Sequence, residues 1–169
     1  MAFRKPYRFW RHLSTDHGRV RRAFSKADLA RIESAIAEGE QHHRGQVQFA
    51  VEPSLPLGRV WKHMPPRERA LEVFGQLRTW DTEENCGVLV YLLMADRDVE
   101  IVADRGIHRA VGDEVWTAVC RRMETAFGEG QFADGVVAGL REINALLATH
   151  FPRSGAGGTN ELSNRPVLL

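Results

Sequence analysis

Two hydrophobic periods alternate along this chain, and the switches between them divide it into elements. Leu29, Ile32 and Ile36 recur at helical spacing after Ser25, which pairs with Asp28 as a capping box, so a helix is predicted from about residue 26 to the low forties. Gly45 stops it. In "QVQFAVE", Val47, Phe49 and Val51 alternate with Gln46, Gln48 and Ala50, the period of a strand. The following "PSLPLGRVWKHMPP" is rich in proline and reads as loop.

Pro65 and Pro66 suit a helix N-terminus, and Ala70, Val73, Phe74 and Leu77 carry a second helix up to Trp80. "DTEEN" breaks that pattern before "CGVLVYLLMA", an unbroken apolar run of strand length that predicts a central strand buried on both faces. After the turn "DRD", "VEIVAD" alternates again, so the two runs form a hairpin about Arg97. Asp96 and Asp98 read as turn residues. From Gly112, Val119, Met123 and Phe127 mark a third helix, with Asp113 and Glu114 at its positive end, and Phe132, Val136, Leu140, Ile143 and Leu147 mark a fourth. This order predicts an α/β domain, a sheet covered by helices on both faces.

The 169 residues suit one domain with its own core. The pattern divides them into an N-terminal arm (1–24), the domain (25–151) and a Gly/Ser/Asn-rich tail (152–169) expected to be flexible. Twenty-three basic against 22 acidic side chains leave a net charge of +1, so no nucleic-acid partner is expected. Cys86 and Cys120 lie in apolar segments without metal spacing and are expected as reduced core thiols. The longest apolar run falls far short of the roughly 20 residues of a membrane span, and no secretory signal is read, so a cytoplasmic place is expected, with a peripheral position on the inner membrane left open.

Charge is uneven only in residues 3–22, where seven basic side chains are interleaved with Phe3, Tyr7, Phe9 and Trp10. Two outcomes are open. The rings pack onto the domain while the arginines stay solvated, or the segment meets a membrane surface or a partner protein.

Common nucleotide-binding and serine-hydrolase signatures are absent. The strand running into Asp96-x-Asp98 resembles the nucleophile motif of haloacid-dehalogenase phosphatases, but Val99 begins another strand at once. A hairpin centred on Arg97 sets Asp104 opposite Val90 and brings Asp81, Glu84, Asn85, Asp104, His108 and Asp113 toward one rim of the sheet. Such oxygen-rich groups suit a hard cation, Mg²⁺ or Ca²⁺; equally, they are a polar loop rim with a helix cap. Zinc is poorly supported: His42 and His43 lie at a helix end, where a protonated ring is stabilised by the dipole. Trp80 and Trp116 are expected in the core.

Trp80-Asp81 ahead of Asn85-x-Gly87-Val88-Leu89, then Asp96-Arg97, Gly106, Asp113 and the Gly130–Gly139 segment, resemble in order and spacing the TPM domain family, named for thylakoid-lumen phosphatase, photosystem II repair and nematode receptor-modulator proteins. The resemblance spans about residues 25–151. It implies a three-layer α/β/α sandwich around a small mixed sheet of about four strands, a divalent-cation site in the loops at one sheet end, and the phosphatase activity proposed for some members. Carried over residue by residue, it makes Asp81, Asn85, Asp104 and Asp113 metal ligands. The chain departs from the family's Gly-x-Gly-Leu-Glu, reading Asp104-Arg105-Gly106-Ile107-His108, so His108 stands where an acid is usual and becomes a candidate general acid or base. Two functions are therefore expected: a metal-dependent phosphatase, or a non-catalytic interaction module reaching a membrane face or partner through its basic aromatic arm.

Overall fold

The helical and extended periods become elements in the computed structural model, which describes residues 5–153 and 162–169. Helices α1 (Lys5–Ser14), α2 (His17–Ala23) and α3 (Lys26–Glu40) lead into strand β1 (Gln46–Glu52). The capping box forms as expected: Ser25 Oγ accepts from Asp28 N at 3.1 Å and Asp28 Oδ2 accepts from Ser25 N at 3.0 Å. The proline-rich loop contains a short helix, α4 (Leu57–Trp61), and α5 (Pro66–Gln76) ends before Trp80, which is half exposed rather than core. Strands β2 (Gly87–Leu93) and β3 (Asp98–Ala103) follow, then α6 (Arg105–Val111), α7 (Asp113–Gly128), α8 (Phe132–His150) and the two-residue β4 (Val167–Leu168).

The sheet has the order β3-β2-β1-β4, with β1 parallel to β2 and β4 and β2 antiparallel to β3. On one face Val47, Phe49, Val51, Val88, Val90, Leu92 and Ile101 meet residues of α2, α3, α7 and α8, including Val20, Phe24, Ile36, Phe127 and Leu140. On the other, Ala50, Leu89, Tyr91 and Leu93 meet Leu55, Val60, Ala70 and Val73 around α4 and α5. This is the three-layer α/β/α sandwich. All seven residues of β1 are buried, Gln46 and Gln48 included, so its alternation marks polarity, not exposure.

Three features differ from the sequence pattern. The hairpin turns over Met94–Arg97, where Asp96 N and Arg97 N donate to Leu93 O and Met94 O, so Leu93 faces Asp98 and Asp104 lies against Gly87, not Val90. Beyond Ala103 the chain enters α6 at once; Asp104 caps it, and Ile107 and Val111 lie too close together to show as a period. The C-terminal segment expected to be wholly flexible instead returns to the sheet: Leu162 N donates to Gln46 Oε1 at 3.0 Å and Leu169 N to Val51 O at 3.0 Å, flanking β4. Residues 154–161 of that segment lie outside the described ones.

His43 also departs from expectation. It is buried, with Nδ1 3.1 Å from Gly45 O and Nε2 3.0 Å from Asn144 Oδ1, and burial lowers its pKa, so it serves as a neutral interior link instead of a protonated helix cap.

Glu40, buried at the end of α3, accepts from Val47 N at 3.1 Å, yet loss of water pushes its carboxyl up to about 7. The folded chain thus holds that proton more tightly than the unfolded chain. The stabilisation is fully present below about pH 4, the unfolded value, and is lost as pH rises through 7, a change of order a few kcal/mol. Glu40→Gln keeps an acceptor for Val47 and removes the charge. Urea unfolding should find it more stable than wild type at pH 8 and much closer to it at pH 4; parallel pH profiles would contradict the assignment.

Candidate functional site

The rim expected to hold a cation lies where β2 begins and β3 ends. Asn85 O accepts from Gly106 N at 3.0 Å, latching the loop before β2 to the first turn of α6. A Cβ on Gly106 would stand 2.6 Å from that oxygen, so only glycine permits the latch. Asn85 itself has φ +53°, a left-handed conformation that asparagine tolerates better than most residues.

Asn85 and Asp104 are therefore joined through backbone. Asp104 is buried; its Oδ1 accepts from Arg105 N at 2.6 Å, while Oδ2 is buried with no hydrogen-bond partner among the described residues. His108 and Asp113 meet across the α6–α7 turn, with Nε2 3.6 Å from Oδ1. Asp81 turns to Arg78, whose Nη2 donates to its Oδ2 at 2.6 Å, and Glu84 pairs with Arg44. Among the described residues, no three His, Cys, Asp or Glu side chains are gathered as a metal ion would need. Asp104 offers one unsatisfied oxygen, but the donor set around it does not fit a resident divalent cation.

His108 and Asp113 also line one end of a cleft of about 380 Å³ beside β3, shared with Arg67, Asp98, Glu124 and Trp116. Burial, then Glu100 and Glu124, push Asp98 up to about 7, and burial pushes the Cys120 thiol up to about 12. Here Glu124 Oε1 accepts from Val99 N at 3.3 Å and Arg67 donates to Ile101 O, closing the otherwise free edge of β3. Asp98, expected as a turn residue, is instead the first residue of β3, paired with Leu93, and the approach of α7 left no mark in the sequence.

The N-terminal segment meets the simpler of its two expectations only in part: Phe9 packs against the domain and Arg19, Arg21 and Arg22 stay exposed, but Tyr7, Trp10, Arg8 and Arg11 do the opposite, and Phe3 lies outside the described residues. Asp96, expected as a turn residue, anchors α1: Arg8 Nε donates to its Oδ2 at 2.9 Å and Arg11 Nη2 lies 3.4 Å from Oδ1. Arg8 Nη2 also donates to Met64 O at 2.9 Å and Arg11 Nε to Ala95 O at 2.6 Å. Leu55 N donates to His12 Nδ1 at 3.0 Å, so the ring proton sits on Nε2, 3.3 Å from Asp96 Oδ2 and off the hydrogen-bond line. Although burial opposes it, this set of donors and cations holds the Asp96 carboxyl below its usual range. Two arginines are thus turned inward. Tyr7, Trp10 and Leu13 are turned outward, and Leu57 and Trp61 of the adjoining α4 extend the apolar surface. No described helix is long and apolar enough to cross a membrane.

The fold is shared with known structures. The BA42 protein of the psychrophilic bacterium Bizionia argentinensis is 26% identical over 86% of this chain and 94% of its own, with a TM-score of 0.75. The N-terminal domain of a P. gingivalis protein, 17% identical over 78% of this chain and 83% of its own, has a TM-score of 0.61 and is alike in fold. No curated protein matches the chain. The family model of the TPM domain matches residues 20–146, most of the α/β/α sandwich, and the chain belongs to the TPM domain family.

Proposed function

We propose that this TPM domain acts as a non-catalytic binding module that docks through the outer face of α1 and α4. The observation that carries this reading is the apolar face itself. Tyr7, Trp10, Leu13, Leu57 and Trp61 are all exposed on two contacting helices, Trp10 at 62% and Trp61 at 78%, a concentration that marks interaction sites.

Metal-dependent phosphoryl chemistry has less support. Asp81 is paired with Arg78, Asp104 caps a helix, the Asp113 side chain is 86% exposed, and among the described residues no three acidic, His or Cys side chains are gathered there. One observation favours that second reading: Asp104 Oδ2, a buried carboxylate oxygen lacking a partner among the described residues, which a cation or a water would satisfy.

Titrating Mg²⁺, Ca²⁺ and Mn²⁺ while following backbone amide resonances separates the two. No saturable shift is expected over residues 81–85 and 104–113, and no hydrolysis of a phosphate ester. Saturable shifts, with hydrolysis abolished by Asp104→Asn or His108→Gln, would overturn the binding-module reading in favour of the phosphatase.

A further inference from the structure

The apolar face borders a cleft of opposite character. Tyr7, at one end of the exposed stripe, also lines a cleft of about 630 Å³ with Arg11, Arg19, Arg22, Arg97 and Phe132. Among the described residues its one lining carboxylate, Asp96, is already engaged by Arg8 and Arg11. Arg97, held at φ +52° in the β2–β3 turn, is exposed, as are Arg19 and Arg22. Arg11 stacks over the Tyr7 ring, 5.6 Å from its centroid, so the basic cleft and the aromatic stripe meet at one residue pair. At the other end, Leu13 and Leu57 line a common groove, which brings the exposed sides of α1 and α4 together.

We propose that this surface docks on an anionic lipid bilayer, with Trp10, Trp61, Tyr7 and the two leucines entering the headgroup boundary and Arg19, Arg22 and Arg97 receiving lipid phosphates. This rests on the binding-module reading and names its partner. Charge complementarity selects the occupant: guanidinium groups in a concave site match phosphate oxygens in two-pronged geometry. Exposed tryptophan and tyrosine beside such cations are the composition of a membrane interface, where amphipathic rings sit at headgroup depth. Nucleic acid would leave Leu13 and Leu57 without a partner.

The reversed polarity of α1 is the device that builds the face. Asp96 draws Arg8 and Arg11 toward the domain, so the helix presents its apolar stripe to solvent. Arg19 and Arg22 of α2, the next helix, stay exposed beside the cleft, with the Asp16 carboxylate near enough to feel the Arg22 charge.

The test uses the full chain with vesicles of phosphatidylcholine alone and of phosphatidylcholine mixed with phosphatidylglycerol. Cosedimentation is expected with the mixed vesicles only, with a blue shift of tryptophan emission, and added salt should weaken it. Arg19→Gln/Arg22→Gln/Arg97→Gln should weaken binding roughly 100-fold, at about fivefold per lost charge. Trp10→Ser/Trp61→Ser, both at exposed positions, should lose binding by tenfold or more, on the order expected for two removed interfacial anchors, with unchanged thermal unfolding.

Equal binding to neutral and mixed vesicles would overturn the phosphate site. No binding to either, with self-association or a protein complex that Trp10→Ser/Trp61→Ser abolishes, would overturn the lipid assignment while leaving the docking face. No binding to either, together with cation-dependent phosphatase activity, would overturn the binding-module reading as well.

Discussion

Gly87→Ala should prevent the chain from folding. Gly87 opens β2, the central strand, and a Cβ there would lie 1.8 Å from the carbonyl oxygen of Thr79 and 3.0 Å from its carbonyl carbon. Both are backbone atoms, so no side-chain rotation relieves the clash. Thr79 cannot retreat easily, being fully buried with its hydroxyl donating to Gln48 Oε1. Gly87 O also receives the Asp104 N–H at 2.8 Å, so shifting β2 disturbs the start of α6. The cost should exceed ~4 kcal/mol, close to the whole stability of a marginal domain. Circular dichroism and urea unfolding check it; a variant within about 1 kcal/mol of wild type would show that the loop before β2 can move.

Arg69→Ala should be the costliest single loss of charge. Glu52 is buried at the end of β1, and Arg69 meets it with two prongs, Nε to Oε2 at 2.8 Å and Nη2 to Oε1 at 3.2 Å. Tyr91 donates its hydroxyl to Oε2 at 2.6 Å; burial and then the Glu52 charge push that phenol well above its ordinary value, keeping it a donor. Without Arg69 the carboxylate keeps one neutral donor in a low-dielectric site, a loss of about 3–5 kcal/mol. Arg69→Ala/Glu52→Gln should recover part of it, because the second change removes the stranded charge. A cost below about 1 kcal/mol in the single variant would mean that water reaches Glu52.

Much of the layering was legible from spacing. The capping box at Ser25, the unbroken apolar run of β2 and the stripe from Phe132 to Leu147 all led to elements found in the sandwich. At the candidate site legibility was poorer. Asp104 was placed on the correct rim but against the wrong partner, because turning over Met94–Arg97 instead of about Arg97 shifts the pairing. Asp81, expected at the same site, is engaged by Arg78 in its own loop. Tight turns and local ion pairs leave no periodic trace.

The chain's alternation of periods determined that helices would flank a mixed sheet, because each period reports whether a segment can bury one stripe or alternate faces, a property of neighbouring residues alone. Tertiary structure decided where β4 docks, how the rim side chains are shared out, and above all which face α1 turns outward. That last choice belongs to Asp96, distant in sequence, whose half-buried charge draws Arg8 and Arg11 inward and leaves Trp10 outward.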